Sequence, residues 1–211
     1  LAANWSRFET TFLRSFYVMG ELNSTKPRLT PQEVPQFSQY AARSLNAMAL
    51  QSGTTVQDLI ERFQKEPVTR EAMRSRLEKI DDPEMLDMVM RQLRREVMTT
   101  LIVRDLTAHA DFHEVVGTVT ALAEETVSAA VRVHSRKLAQ RFGVPVGVSG
   151  EPQDLLVVGM GKLGAQELNY VSDVDLIYVV EPADKDVDHQ TLIRVGTKMG
   201  TMLQRVCQSA I

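Results

Sequence analysis

Residues 154–181 read DLLVVGMGKLGAQELNYVSDVDLIYVVE, and two incompatible folds are written into them. Gly159-Met160-Gly161-Lys162-Leu163-Gly164 is a literal G-x-G-x-x-G behind an apolar run, the spacing of a dinucleotide-binding turn. Asp173-Val174-Asp175, followed by a second apolar run, is the pattern of paired metal-ligating carboxylates at a strand. The choice between them sets the local topology.

The dinucleotide reading wants an acidic residue about 20 positions further on, and Glu181 stands close to that place. Its connection is too short. A parallel crossover, helix included, takes at least about 10–12 residues. Only residues 165 to 172 separate Gly164 from Asp173, and Asn169, Tyr170 and Ser172 are weak helix formers. Only residues 182 to 211 follow Glu181, too few for several more βα units. Two antiparallel strands joined through a compact Gly-rich turn satisfy the same residues. The spacing therefore predicts strands over 155–160 and 174–180 as antiparallel neighbours.

Residues i and i+2 of a strand face the same way, about 6.6 Å apart. Asp173 and Asp175 would point to one side and Val174 to the other, into the core. Two such carboxylates can share Mg²⁺ ions about 3.5–4 Å apart. Gly161 and Gly164 let peptide N–H groups approach phosphate oxygens closely. Lys162 is a candidate phosphate contact, against the plainer reading of a solvated lysine. Ser172 is a candidate to bond a phosphate or orient Asp173, against local turn bonding. Together these residues describe a phosphate-and-metal site for phosphoryl or nucleotidyl transfer.

Outward from this stretch the chain changes character. VPVGVSGEPQ, residues 144–153, is a Gly- and Pro-rich loop that reads as a domain boundary. Before it, residues 1–142 read as helix throughout. Thr30-Pro31-Gln32-Glu33 reads as a capping box with Pro at the first helical position. Thr55 with Asp58 opens a helix to about Glu66, and Thr69 another to about Ile80. Asp82-Pro83 starts a long one to about Thr107, with Leu86, Met90, Leu93 and Val97 recurring at helical spacing. Asp111 with Glu114 caps the longest, which runs to Phe142 and stops at Gly143. The last two are roughly 35 to 45 Å long and must pack side by side in a bundle. Met85, Met88, Met90 and Met98 read as core filler. His109 and His113 flank Asp111, which already serves as a cap, so they do not read as a metal site. Beyond the strands, residues 188–208 read as an amphipathic helix.

Composition narrows the classes. The 44% apolar and 24% charged content is that of a globular domain. A net charge of −3 gives no bias toward nucleic acid or anionic membrane. Cys207 is the single cysteine, so there is no disulfide framework, which fits a reducing, cytoplasmic compartment. No run of about 18 apolar residues occurs. The chain begins without Met and ends at Ile211 on a helix-like stretch, the appearance of a piece of something longer.

GMGKLGAQELNYVSDVDLIYVV closely resembles the signature of the bacterial glutamine synthetase adenylyltransferase/adenylyl-removing enzymes, members of the nucleotidyltransferase superfamily. RQLRREVMTTLIVRDL and the long helix after it resemble the region preceding that signature; residues 1 to about 80 carry no motif of the family. The resemblance implies an α+β, mainly α chain: a helical region over 1–143, then a nucleotidyltransferase core over 154–211 with a small mixed or antiparallel sheet. Gly-Met-Gly and Asn-Tyr-Val-Ser-Asp resemble the amino-terminal half, which removes AMP. The implied reaction is phosphorolysis of adenylyl-tyrosine on glutamine synthetase, with Mg²⁺ on Asp173 and Asp175. Implied partners are adenine nucleotide, phosphate and a PII-type signal protein. The adenylylating half, another nucleotidyltransferase and a non-catalytic docking module are the alternatives. In the family a third carboxylate comes from a later segment, before Leu-Arg-Pro, and no such segment occurs here. The expectation is a core incomplete at its C-terminal side, binding Mg²⁺ weakly and not turning over by itself.

Overall fold

The longer helices among the described residues start at side-chain caps. The computed structural model describes residues 28–144, 146, 151–152, 154–179, 197, 200 and 201. Within them lie α1 (Val34–Phe37), α2 (Gln39–Ser52), α3 (Val56–Lys65), α4 (Arg70–Leu77), α5 (Pro83–Leu106), α6 (Phe112–Phe142), β1 (Leu156–Gly159), α7 (Gly161–Gly164) and β2 (Leu176–Val179). Thr55 and Asp58 form a reciprocal box at the head of α3. Thr69 accepts from the Ala72 N–H, Asp82 from that of Met85 and Asp111 from that of Glu114. Each such cap is worth about 1 kcal/mol. All four helices begin where the sequence places them.

Thr30 behaves differently. Its N–H and its hydroxyl both donate to the Glu33 carboxylate, at 2.7 and 2.8 Å. The hydroxyl is therefore spent as a donor, and the Glu33 N–H turns to the Thr30 carbonyl instead. The result is a turn over 31–33 rather than a helix start. The short α1 follows, and Ser38 breaks it with extended backbone and caps α2.

Two buried clusters share α5. Val34, Leu45, Leu59, Ile60 and Phe63 of α1–α3 pack with Ile102 and Val103. Leu86, Met90, Leu93 and Val97 of the same helix pack with α4 and α6. Met90 and Met98 are core, but Met85 and Met88 are 52% and 46% exposed. Met88 lies roughly 200° round the helix from Leu86, so a shared run of methionines cannot share a face. Leu155, Leu163 and Leu168 enter the α4–α6 cluster, so the sheet segment and the helices have one continuous core. No helix of the described residues is long and apolar enough to cross a membrane. The helix expected over 188–208, and Cys207, fall outside the described residues apart from helical positions 197, 200 and 201.

The two clusters are joined by a buried ion pair. Arg104, near the end of α5, has a side chain only 8% exposed. Its guanidinium takes both oxygens of Glu114 on α6, at 2.5 and 3.0 Å. It also donates to the carbonyls of Phe63 and Gln64, in the last turn of α3, and of His109 in the α5–α6 turn. Three chain segments thus converge on one side chain of a fourth. A second arginine, Arg132 of α6, donates to the carbonyls of Leu77 and Ile80 at the end of α4, at 2.7 and 3.0 Å. This catches the α4 terminus three residues short of the expected Ile80.

Two tests follow from this core. Arg104→Ala strands a partly buried carboxylate and three carbonyls, and should cost about 3 kcal/mol in urea unfolding. His134 on α6 is 6% exposed, and neither ring nitrogen has a hydrogen-bond partner. Burial pushes its pKa below the ordinary 6.5, and Lys137 adds to the shift. The unfolded ring binds a proton near pH 6.5 while the folded ring resists to lower pH. Stability is therefore full above pH 6.5 and declines as pH falls through that value toward the folded one. Unfolding midpoints measured across this range should show a shallower decline in His134→Leu.

Candidate functional site

β1 and β2 pair antiparallel, with Leu156 opposite Val179, Val157 opposite Tyr178, Val158 opposite Ile177 and Gly159 opposite Leu176. This excludes the parallel crossover that the dinucleotide reading needs. Val157, Leu176 and Tyr178 pack on the core, while Leu156, Val158, Ile177 and Val179 are exposed. Each strand is shorter than the spacing predicts. β2 begins at Leu176, so Asp173 and Asp175 precede the strand rather than lie in it. The reason is the partner: β1 ends at Gly159, where the chain bends into α7. One further bond, from the Met160 N–H to the Asp175 carbonyl at 2.9 Å, carries the pairing past the strand end. The alternation persists without a ladder, for Asp173 and Asp175 are exposed and Val174 packs against the core.

Three glycines shape the turn, each for a different reason. Gly161 adopts φ +52, the left-handed region. A Cβ placed on it would stand 3.5 Å from Asp175 Oδ2, so the turn and this carboxylate meet here. A Cβ on Gly164 would come within 2.6 Å of the Gly159 carbonyl oxygen, and one on Gly159 within 2.8 Å of Leu163. Gly159 and Gly164 are thus a packing pair. They let Leu163 drop into the core, where it is 5% exposed. The G-x-G-x-x-G spacing is satisfied by close packing, with no βαβ unit around it among the described residues. Gly159 carries the same signal as Gly161 and Gly164, and its role emerges only from this approach.

Lys162 is exposed on the turn, and its carbonyl accepts from the Glu167 N–H at 2.8 Å. Glu167 is exposed. Ser172 Oγ accepts from the Asn169 N–H at 3.0 Å and donates to Asn169 Oδ1 at 2.9 Å, while Val171 N–H donates to the same Oδ1. Ser172 is therefore engaged in a local turn just ahead of Asp173. Among the described residues, no three of His, Cys, Asp and Glu gather into a metal cluster. Asp173 and Asp175 remain as the hard oxygen donors beside the turn.

Three residues of the link between turn and carboxylates tie it to the helices. Leu168 is 1% exposed, and its N–H donates to Thr120 Oγ1 of α6. Tyr170 packs against both core clusters. Burial raises its hydroxyl pKa far above the ordinary value, and the Asp105 and Glu114 carboxylates add to this, so the phenol stays neutral. Gln166 donates to Glu124 Oε1 at 2.6 Å. Burial pushes the Glu124 carboxyl up, but the Gln166 amide and the Arg70 guanidinium outweigh it and hold the pKa low. In sequence, a lone leucine and tyrosine in a polar loop are the only signal for these anchors. A cleft of about 840 Å³ lies behind the turn, lined by Arg70, Arg132, Glu125, Val157, Gly159 and Gly164 among others. Asp173 and Asp175 do not line it; they face solvent on the outer side.

The family model described as glutamate-ammonia ligase adenylyltransferase matches residues 32–211. Three curated relatives are each named bifunctional glutamine synthetase adenylyltransferase/adenylyl-removing enzyme. That of Chromobacterium violaceum is 39% identical over 175 residues, covering 80% of this chain and 19% of its own length. That of Bordetella pertussis is 48% identical over 103 residues, covering 46% of this chain and 11% of its own. That of Bifidobacterium longum strain DJO10A is 96% identical over 55 residues, covering 26% of this chain and 5% of its own. The chain thus spans less than a fifth of the length of these relatives.

The glycines separate by substitution. Gly164→Ala drives a methyl into backbone that cannot yield, and should cost about 1–3 kcal/mol. Gly161→Ala meets Asp175 Oδ2 only at ordinary contact distance but keeps an unfavourable φ, costing about 1 kcal/mol. Gly117, inside α6 with nothing within 4 Å, should gain about 0.5–1 kcal/mol as alanine. Denaturant midpoints of the three variants give the order.

Proposed function

This chain belongs to the glutamate-ammonia ligase adenylyltransferase family, and from that premise we propose that its Gly-rich turn, Asp173 and Asp175 form a nucleotidyl-transfer site acting on glutamine synthetase. The reaction is removal of AMP. An oxygen of orthophosphate attacks the phosphorus of adenylyl-O-tyrosine, the bond from phosphorus to the tyrosine oxygen breaks, and that oxygen takes a proton. ADP and the free tyrosine leave. The observation that carries this reading is the meeting of Gly161 with the Asp175 carboxylate at the mouth of an antiparallel pair. The wording Gly-Met-Gly and Asn-Tyr-Val-Ser-Asp favours removal over addition, through its resemblance to the amino-terminal half of the family.

Two exposed carboxylates suit Mg²⁺, which is commonly bound by one or two carboxylates together with substrate phosphates. Asp173 and Asp175 would hold it, and when bound it supplies positive charge to the phosphate oxygens. The chain's own residues do the rest. The first N–H groups of a helix lack intrahelical partners. Those at the start of α7 can therefore meet phosphate oxygens where Gly161 leaves the backbone bare. Lys162, exposed on the same turn, would add a point charge. Ser172 bonds Asn169 and fixes the turn from which Asp173 departs. No general base is needed, because phosphate is itself the nucleophile. Adenine nucleotide as product, a PII-type regulator and residence in the cytoplasm belong to the same reading, as does the division into a helical region and a catalytic core.

Asp173→Asn and Asp175→Asn each remove charge while keeping volume. In the full-length protein, ADP release from adenylylated glutamine synthetase, with orthophosphate and Mg²⁺, should drop at least about a hundredfold in either. Melting temperature without metal should hold or rise slightly, since two neighbouring carboxylates repel. Full ADP release in either variant would sink the assignment.

A further inference from the structure

The segment between the phosphate turn and the carboxylates leaves the sheet and lies along α6. Two bonds fasten it there. Gln166 Nε2 donates to Glu124 Oε1 at 2.6 Å, and the Leu168 N–H donates to Thr120 Oγ1 at 3.3 Å. Thr120 and Glu124 are four residues apart, one turn along the same face of α6. The second oxygen of Glu124 is held by Arg70 of α4, and Arg70 is in turn 3.6 Å from Glu125. Glu124 is thus fixed from behind by a second helix.

Gln166 is also strained. Its φ is +61, a left-handed conformation that a non-glycine residue adopts at a cost of about 1–2 kcal/mol. Such a conformation persists only where its surroundings determine it. Here they do. Leu163 and Leu168 are buried on either side, the Gln166 N–H donates to the Leu163 carbonyl at 3.1 Å, and the side chain is held by Glu124. A bare surface turn would favour glycine at this position.

We propose that Gln166 and Glu124, backed by Arg70, are positioning residues that set the distance between the phosphate turn and the Asp173–Asp175 pair. None of the three touches substrate; they act through the backbone of residues 163–168. The consequence for catalysis rests on the nucleotidyl-transfer reading above. Displacement of a reacting group by about 1 Å can cost up to a hundredfold in rate, and this link is the connection between the two halves of the site.

The test uses the full-length protein with Gln166→Gly, Glu124→Ala and Glu124→Gln. Gln166→Gly relieves the strained φ while deleting the bond, so stability and positioning move in opposite directions. Glu124→Gln loses the Arg70 ion pair but keeps an oxygen that accepts from Gln166. Hydrogen exchange of the Gly164 and Ala165 amides, bonded to the Met160 and Gly161 carbonyls, reports opening of the turn. Exchange should quicken about tenfold in Gln166→Gly and Glu124→Ala, and by a smaller factor in Glu124→Gln, which keeps the Gln166 bond and loses only the Arg70 backing. The kcat for ADP release should fall about tenfold in the same two variants, with the KM for orthophosphate little changed. Unchanged exchange in both overturns the proposal whatever the activity does. Faster exchange with full kcat overturns it too. Faster exchange in a protein whose wild type releases no ADP leaves the clamp standing and removes the nucleotidyl-transfer reading instead.

Discussion

The structure depends first on a buried charge. Arg104 holds Glu114 with two bonds and takes backbone carbonyls from the end of α3 and the α5–α6 turn. A guanidinium leaves water only at a cost of several kcal/mol, and the cost is offset only when its donors are met with good geometry. That requirement makes the contact selective. The ends of α3, α5 and α6 must come together in one arrangement, and the two apolar clusters on either side of α5 are brought into register. Asp105, next along the helix, is buried as well and faces the Tyr170 hydroxyl. The same corner therefore receives the first part of the carboxylate loop.

The sheet cannot supply its own stability. A pair of four-residue strands is marginal in water, and half of its side chains are exposed. Its inner face survives by joining the helical core through Leu155, Val157, Leu163, Leu168, Leu176 and Tyr178. α6 is the element that makes this possible. It contributes to the main cluster, holds the end of α4 through Arg132, and meets the link between the Gly-rich turn and Asp173 through Thr120 and Glu124. The long helix is thus both core and scaffold, and the Gly-rich turn with its two carboxylates is carried on it.

The sheet segment shows how one sequence pattern can serve two purposes. Glycines at the spacing of a dinucleotide turn are here a packing pair, Gly159 against Gly164, with Gly161 alone in the left-handed region. Both uses need a backbone that approaches something closely: a pyrophosphate in one case, a carbonyl in the other. The spacing cannot tell them apart. The short link to Asp173 can, because connection length limits whether two strands run parallel.

Local rules were legible where the partner is near in sequence. Thr55, Thr69, Asp82 and Asp111 each cap within three residues, so four helix starts follow from the residues alone. The antiparallel pair and the outward pointing of Asp173 and Asp175 followed from connection length and alternation. Thr30 misled because its hydroxyl could donate as well as accept, a choice that a sequence leaves open. Met85 and Met88 misled because methionine suits core and surface alike, and only the rotation of α5 against its neighbours separates them from Met90 and Met98. The early start assigned to β2 failed because a strand ends where its partner ends, and Gly159 belongs to the other strand. Arg104, Tyr170 and the Gln166–Glu124 bond were invisible for one reason: their partners lie on other elements, and burial and hydrogen bonding across tens of residues come into being only when the helices pack. What the chain determined by itself was the menu of elements and the residue types at the turn; where the link from that turn to Asp173 lies was decided by α6, because Thr120 and Glu124 meet it only once the helices have packed.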